Sequence, residues 1–288
     1  MFEKSEWKEL EGKTITSPET MISAIKKVGI IPFFRNGVPG WSVEELTAPG
    51  YWLWDEGDNL GPWDWKIDAV QTGEIAYGKF LGGKAAFATV EYYRELMNWR
   101  RSLPKYSVAL GEGNPTGSLK LTASEKIMHS LGPVVLEAIR ENGTMEMKEL
   151  RQICIEKVGA RIPGTQLEIK KNIMDSVMAW LQMGTWTVIG DFTRVYRGPN
   201  LTYSGWQRTS NTTPEALFGI EWRGEADEEK VEGARDAGAK RPFWADIIEP
   251  EVQTVQPQRT PEESRELLIS HVECLYPGAK RKILEKII

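Results

Sequence analysis

The 288-residue chain contains few of the residue types that build disulfides and metal centres, namely two cysteines and two histidines. Cys154 and Cys274 are far apart, and each falls within a helical pattern, so the sequence predicts free thiols rather than a disulfide framework. His129 and His271 add no recognisable ligand spacing. We therefore expect a chain that holds no metal and no other cofactor.

Long apolar runs are also missing. No stretch approaches the roughly 20 apolar residues of a membrane-spanning helix, and the charged N-terminal segment lacks the apolar core of a signal peptide. We expect a cytoplasmic protein with no membrane partner. The motifs G-x-x-x-x-G-K-[ST] and G-x-S-x-G do not occur, which excludes P-loop nucleotide hydrolysis and α/β-hydrolase chemistry.

The net charge of −5 is unevenly distributed along the chain. Segments 1–70 and 209–288 each carry −5, whereas 71–120 carries +3 and 121–208 carries +2. A basic centre is compatible with contact to phosphates, and acidic flanks are compatible with a protein partner. The charge distribution therefore leaves both kinds of partner open.

Tryptophan, in contrast, is abundant. Four tryptophan rings lie close together and carry on the order of 600–1,000 Å² of surface, more than the largest apolar patch of most soluble monomers. Their period-2 spacing favours strands that bury the rings together in a core. They form two Trp-x-Trp pairs, Trp52 with Trp54 and Trp63 with Trp65.

A binding pocket is the alternative interpretation of this segment. Trp63, Trp65 or Tyr77 would then stack on a flipped base, and Lys79 and Lys84 would contact phosphates. Both interpretations can hold together, because four rings need not share one role.

Carboxylates beside the tryptophans suit acid–base work on a glycosidic bond, whose oxocarbenium-like transition state is attacked by a positioned water. Solvated surface charge is the alternative for each of them. The candidates, chosen by proximity in sequence, are Asp55, Glu56, Asp64, Asp68 and Glu74.

Four helix starts carry a capping signal. A Ser or Thr side chain accepts a hydrogen bond from the third helical residue, where a Glu can bond the N–H of the cap in return, and proline suits the first position. The first helix should stop at Gly29. The predicted starts are Ser17-Pro18, Thr122 with Glu125, Thr165 with Glu168, and Thr260-Pro261 with Glu263.

Residues 122–205 follow an informative order. Helix, strand, helix, helix, strand, strand is the order of the winged-helix form of the helix-turn-helix. The predicted elements are a helix from Thr122 to Asn142 that is interrupted or kinked at Gly132-Pro133, a strand at 144–146, a helix at 147–157, a helix from Thr165 to about Met183, and a hairpin of strands 186–189 and 194–196.

The preceding block repeats this plan loosely, with helices at 18–28, after Ser42 and at 62–70 before a hairpin at 75–88. The predicted fold class is therefore α+β, helix-rich, with tandem winged-helix units and short β-hairpin wings. The predicted boundaries are an N-terminal unit at 1–101, a linker at 102–120, a second winged-helix unit at 121–208, an acidic and partly extended connector at 209–260, and a C-terminal helical segment at 261–288.

Cations fall where a DNA-reading winged helix needs them. Lys170 and Lys171 lie on the third helix of the second unit, opposite its apolar stripe, where such a helix enters the major groove. Arg194, Arg197 and Arg208 belong to the wing, which approaches phosphates. A solvated or protein-contacting face is the alternative, because a fold does not dictate a function.

Three sequence motifs resemble those of the AlkZ-type (YcaQ-like) DNA glycosylases, which are bacterial proteins built from tandem winged helices. The resemblance is to uncharacterised relatives of that family, and it implies DNA as the partner and a link to base repair. The motifs span 60–195 and are Trp63-Asp-Trp65-Lys66, Ile75-Ala-Tyr-Gly-Lys-Phe80 with Gly83-Lys84-Ala85-Ala86-Phe87, and Met178-Ala-Trp-Leu-Gln-Met183 followed by Val188-Ile-Gly-Asp-Phe192.

The catalytic motif of the family is missing near the first predicted winged helix. Active members carry Gln-x-Gln or Gln-x-Asp near the first winged helix, where the paired side chains hold the attacking water. Here Gln71-Thr-Gly73 lacks the partner, and Gln256-Pro-Gln258 lies in the connector. If the chain is an enzyme, the resemblance implies a metal-free N-glycosylase in which Asp64, Asp68 or Gln71 orients the water. The alternative is a protein that binds DNA without excising a base.

Overall fold

The computed structural model describes residues 13–52, 60–111, 121–222, 253–255 and 258–288. Within these ranges the fold is α+β and rich in helix, with small antiparallel sheets, as the sequence predicts. The chain divides into two compact units. Unit 1 combines the residues up to Trp99 with Gln258–Ile288, and unit 2 is Arg100–Pro257.

Unit 1 is built around a three-stranded antiparallel sheet of order β1-β3-β2. Its core includes Trp41, Phe87 and Tyr93, which are fully buried. The elements are α1 (Pro18–Val28), β1 (Ile30–Pro32), α2 (Val43–Leu46), α3 (Pro62–Gln71), β2 (Ile75–Leu81), β3 (Lys84–Thr89), α4 (Val90–Arg101), α10 (Pro261–Leu275) and α11 (Arg281–Ile287).

The two last helices belong to unit 1 because buried polar and apolar contacts hold α10 against α1 and α4. The Asn98 amide donates to the Arg259 carbonyl at 2.7 Å and to Ser264 Oγ at 2.8 Å. His271 Nε2 donates to the Val28 carbonyl at 2.8 Å, since a carbonyl oxygen can only accept, and Tyr92 Oη lies 3.1 Å from His271 Nδ1.

Unit 2 contains a second three-stranded antiparallel sheet, of order β4-β6-β5. A further pair, β7 and β8, is parallel. The elements are α5 (Pro104–Ser107), a 3₁₀ turn (Val108–Leu110), α6 (Ala123–Asn142), β4 (Met145–Glu146), α7 (Met147–Val158), α8 (Lys171–Met183), β5 (Val188–Arg197), β6 (Thr202–Thr212), α9 (Pro214–Phe218), β7 (Ile220–Trp222) and β8 (Gln253–Val255).

The same element order therefore occurs twice. In unit 1 the order α1, β1, α2, α3, β2, β3 gives a sheet in which the third strand lies between the first and second. In unit 2 the order α6, β4, α7, α8, β5, β6 gives the same arrangement. The longest hairpin of each set, β2–β3 or β5–β6, follows directly after the third helix.

Three of the four predicted helix starts are confirmed. The caps Ser17, Thr122 and Thr260 each accept a hydrogen bond from the third helical residue, and each completes a capping box. The stop at Gly29, with φ of 78°, is also confirmed. These features are local, so a sequence window contains all the atoms that decide them.

The start at Thr165 is wrong, because α8 begins at Lys171. Thr165 Oγ1 accepts from the Leu167 N–H at 3.1 Å, so the hydroxyl closes a local turn instead of capping a helix. The chain after it is extended, and the Ile169 N–H donates to the Ala160 carbonyl at 3.0 Å. Helix α6 is not interrupted at Gly132-Pro133, since it runs through Pro133 to Asn142.

The predicted strands 186–189 and 194–196 are not the two strands of a hairpin. Residues 188–189 and 194–196 both belong to the single strand β5, Val188–Arg197. The dipeptide Gly190-Asp191 has the composition of a turn but lies in a β-bulge, where the register shifts between Ile189 and Asp191. The true turn follows Arg197, and the hairpin of β5 and β6 is about twice as long as predicted.

The strand interpretation of the tryptophan spacing is also wrong for Trp63 and Trp65, which lie in the first turn of α3 behind Pro62. Residues two apart on a helix point to different sides. Trp63 is accordingly half-buried, whereas Trp65 is 6% exposed. Trp54 lies outside the described residues.

Several other predicted features fall partly outside the described ranges. Of the linker at 102–120, residues 104–110 are helical and Tyr106 is buried, and 112–120 are not described. Of the connector at 209–260, residues 223–252 and 256–257 are not described. Among the described helices, none is both long and apolar enough to cross a membrane.

Candidate nucleic-acid interface

The end of the β5–β6 hairpin in unit 2 exposes cations together with large apolar side chains. Tyr196 is 52% exposed, Leu201 70% and Trp206 62%. Arg194 and Arg197, which the sequence predicts to contact phosphates, are both exposed on β5. A surface that presents rings and guanidinium groups side by side can stack on bases and pair with phosphates.

Ring contacts order this hairpin end. The Tyr196 and Tyr203 ring centroids lie 5.8 Å apart, and the Arg194 guanidinium carbon lies 5.8 Å from the centroid of Tyr203. Arg208, further along β6, forms an ion pair with Glu146 at 3.3 Å but keeps 60% of its side chain exposed. Arg194 is thus positioned by a neighbouring ring and Arg208 by a carboxylate, while the side chains of both stay exposed.

Helix α8 presents the second group of predicted cations. Lys170 is the N-cap residue and Lys171 the first helical residue, and both are exposed with Asn172 and Asp175. Lys170 forms an ion pair with Glu168 at 2.9 Å, whereas Lys171 has no carboxylate partner within the described part of the chain. Cations are disfavoured at a helix N-terminus, where the dipole favours anions, so two adjacent lysines there suit a phosphate ligand better than they suit the helix.

A buried hydrogen bond joins α8 to the hairpin. The Gln182 amide on α8 donates to Asn211 Oδ1 on β6 at 3.0 Å, and both residues are almost completely buried. The apolar side of α8, with Met174, Val177 and Leu181, fills the core of unit 2. The exposed side of α8 and the base of the hairpin are therefore fixed within one rigid core.

Arg101, which ends α4 and belongs to unit 2, fixes the start of the hairpin. Its guanidinium group donates to Glu215 Oε1 at 2.5 Å and to the Thr185 carbonyl at 2.8 Å, and lies 4.4 Å from the centre of the Trp186 ring. Trp186 Nε1 donates to the Tyr106 carbonyl at 3.1 Å. Contacts with Arg101 and with the Tyr106 carbonyl thereby hold the turn between α8 and β5.

In unit 1 the three predicted catalytic residues share one stripe of α3. Asp64, Asp68 and Gln71 follow a spacing of four and then three residues, which places them along one side of a helix. Asp64 is 1% exposed, and Asp68 and Gln71 are exposed. The three residues therefore lie along one side of α3, with the buried carboxylate at the start of the helix.

Lys66 lies beside this stripe and is almost completely buried. Its Nζ donates to the Trp63 carbonyl and lies 3.7 Å from the centre of the Trp63 ring. Burial disfavours the charged amine and lowers the pKa of Lys66 to about 7, while the negative charge of Asp64 opposes the shift.

Two of the three predicted base-stacking residues, Trp63 and Tyr77, lie in one aromatic cluster centred on Phe33, whereas the Trp65 ring lies 6.5 Å from Tyr51. The Phe33 ring centroid lies 5.3 Å from Trp52, 6.0 Å from Trp63 and 6.4 Å from Tyr77. Trp65 and Tyr77 are buried at 6% and 4% exposure, so of the three predicted rings Trp63 has the most surface available. Burial also raises the pKa of the Tyr77 hydroxyl.

The remaining predicted residues lie on the surface of unit 1. Lys79 on β2 and Lys84 on β3 are exposed on either side of the turn at Gly82 and Gly83, whose φ angles of 57° and 73° require glycine. Glu74 is exposed and forms an ion pair with Lys26. Asp55 and Glu56 lie outside the described residues.

Sequence reasoning missed the exposed side chains of the hairpin, Tyr196, Leu201 and Trp206. The available signal was the turn composition Gly198-Pro-Asn200 between two β-rich runs, which marks the hairpin end. Among the described residues, no group of three or more His, Cys, Asp or Glu side chains is arranged to hold a metal ion.

These features define a class of helix-rich α+β protein with two units of equal element order, of which the second carries an exposed cationic and aromatic hairpin. A protein-family model described as AlkZ related matches residues 15–241, which is more than half of the chain. The chain belongs to the AlkZ-related family, and the resemblance seen in the sequence is confirmed. No curated protein and no solved structure matches the chain significantly.

Proposed function

We propose that the chain is a DNA-binding protein of tandem winged-helix construction that acts in DNA base repair. The family supports a role linked to DNA repair. The element order and the strand order of both units are those of a winged helix, in which the third helix reads DNA and the hairpin is the wing.

Unit 2 supplies the DNA-reading elements in this proposal. The exposed side of α8 enters the major groove, with Lys170 and Lys171 at phosphates near its N-terminus. The hairpin lies along the backbone, where Arg194 and Arg197 pair with phosphates and Trp206 contacts bases or sugars. The observation that carries the proposal is the exposed combination of these side chains on one rigid core.

The third helix of unit 1 does not suit the same task. Seven of the ten residues of α3 are buried, and its exposed side chains Asp68 and Gln71 include no cation. A carboxylate facing a DNA groove is repelled by the phosphates. We therefore assign groove reading to α8.

Fluorescence anisotropy with a labelled duplex tests the DNA-binding proposal. The affinity of the wild-type chain should fall steeply with salt, and Arg194→Ala/Arg197→Ala should reduce the slope of log K against log salt by about 2 because each lost phosphate contact accounts for about 0.9. Trp206→Ala should weaken binding while leaving the slope unchanged.

Lys157→Ala is the matched control, because Lys157 is exposed in the same unit but its charge is already paired with Glu137 at 2.6 Å. It should bind as the wild type does. Absence of duplex binding, or binding that does not depend on salt, would refute the proposal and favour a protein-contacting module.

N-glycosylase activity is the second candidate function, and the stripe on α3 favours it. A carboxylate and an amide one helical turn apart, Asp68 and Gln71, can together orient a water molecule, and the buried Asp64 continues the same line. The aromatic cluster next to this stripe offers Trp63 for stacking on an extruded base.

Incubation with alkylated duplex DNA tests this candidate by the abasic sites that it releases. Wild-type release that Asp68→Asn and Gln71→Ala abolish, without loss of duplex affinity, is the expected result. Glu74→Gln is the control, because Glu74 is close in sequence but forms an ion pair with Lys26. Full release by the Asp68 and Gln71 variants would remove this stripe from consideration.

A further inference from the structure

Helix α11 is fixed to unit 1 at both of its ends. Near its start, a methyl carbon of Ile283 lies where a side chain on Gly37 would begin, 3.0 Å from an ideal Cβ. Near its end, the Ile287 carbonyl accepts a hydrogen bond of 3.0 Å from the N–H of Gly82, in the β2–β3 turn. Leu284 and Ile288 are buried. The outer side of α11 is therefore a fixed extension of the hairpin surface.

The charges of α11 are sorted between its two sides. Arg281 forms ion pairs with Glu266, Glu273 and Glu285, which neutralise it and hold α11 against α10. Lys280, Lys282 and Lys286 are exposed, and none has a carboxylate partner in the part of the chain that the structure describes. The unneutralised cations thus face solvent in an otherwise acidic chain.

The β2–β3 turn continues this cationic surface. Lys84 follows the glycine pair directly, is exposed, and likewise lacks a carboxylate partner within the described residues. Because Gly82 touches Ile287, Lys84 and Lys286 each lie within two residues of that contact, and Lys282 lies one helical turn from Lys286. The three exposed lysines are therefore grouped around the contact between α11 and the β2–β3 turn.

We propose that Lys84, Lys282 and Lys286 form a phosphate-binding strip in unit 1 that contacts the backbone of a polynucleotide. The strip rests on the proposed function, because it adds a second contact for DNA that the chain binds. A single nucleotide does not need three separated cations, whereas successive phosphates of a strand do.

The absence of apolar side chains on the strip favours nucleic acid over a lipid surface. A helix that binds a membrane surface inserts an apolar face, but Leu284 and Ile288 are already buried in unit 1. No large hydrophobic residue of α11 or of the β2–β3 hairpin is among the exposed ones in the described ranges. The strip offers charge alone, which is what backbone contact requires.

The salt dependence of duplex binding tests the strip. Changing Lys84, Lys282 and Lys286 to Ala should lower the slope of log K against log salt by about 2.7. The triple change to Arg keeps the charge and should keep the slope. Lys26→Ala is the control in the same unit, because Lys26 is exposed but its charge is already paired with Glu74, and it should leave the slope within about 0.5 of the wild type.

The outcomes separate this inference from the proposed function. If the wild type does not bind duplex DNA, both are refuted. If the wild type binds and the slope of the folded Ala variant is unchanged, the strip alone is refuted. Binding to anionic phosphatidylserine vesicles is measured as well. Loss of vesicle binding by the Ala variant, with duplex affinity intact, would assign the strip to a membrane and overturn the inference.

Discussion

The buried amine of Lys66 makes the stability of unit 1 depend on pH in a defined direction. The pKa of Lys66 is about 7 in the folded chain and 10.5 when the side chain is exposed. Between these values the unfolded chain binds a proton that the folded chain does not. Stability must therefore rise with pH across this window.

The magnitude follows from the size of the window. Each pH unit over which the two states differ by one proton changes the free energy of unfolding by about 1.4 kcal/mol. Because the folded amine is half-protonated near pH 7, the gain from pH 7 to pH 9 is about 2 kcal/mol. Lys66→Met, which replaces the amine by an apolar side chain of similar length, should remove this gain.

Urea unfolding of the wild type and of Lys66→Met at pH 7, 8 and 9 measures the difference, in which all other titrating groups cancel. Lys84→Met is the control, because Lys84 is exposed, and it should keep the wild-type pH dependence. An NMR titration of the Lys66 side chain should show a midpoint near pH 7. A midpoint near 10, or an equal pH dependence in wild type and Lys66→Met, would refute the argument.

Two further predictions concern packing and pH. Gly190→Ala should destabilise unit 2 by about 1–3 kcal/mol, because its Cβ would lie 2.6 Å from a methyl carbon of the buried Thr212, whereas Gly278→Ala, with open space at its Cβ, should be neutral in thermal unfolding. Burial lowers the pKa of His271, so the wild type should lose stability as the pH falls below 6.5, and the loss should be smaller in His271→Phe when urea midpoints are compared at pH 5 and 7. Equal urea midpoints at both pH values would contradict the second prediction.

The parts of the fold that the sequence predicts correctly are decided by neighbouring residues. The caps of α1, α6 and α10 depend on a side chain and an N–H three residues away, and the turn of the first hairpin depends on Gly82 and Gly83. Thr165 shows the limit of such signals, because its hydroxyl has a competing local partner and the helix starts six residues later.

The site is less predictable because exposure is a property of the assembled unit. Trp63 and Trp65 have the same composition and spacing, but the turn of α3 separates them into a half-buried and a buried ring. The predicted hairpin of strands 186–189 and 194–196 ends where the structure has a β-bulge between Ile189 and Asp191, so the prediction misses the length of the β5–β6 hairpin and the exposure of Trp206. The lysines of α11 are placed beside the β2–β3 turn only in the folded unit, where the Gly82 N–H donates to the Ile287 carbonyl.

The division of unit 1 between two stretches of sequence has a consequence for biogenesis. Translation delivers all of unit 2 before α10 and α11 emerge, so the inserted unit can finish its own core while its host is incomplete. Until then Leu268, Ile269 and Val272 have not been made, and the side of unit 1 that they cover is open to chaperones. A chain that ends after residue 257 would thus contain all of unit 2 but lack α10 and α11 of unit 1. We expect proteases to degrade the incomplete unit 1 of such a chain.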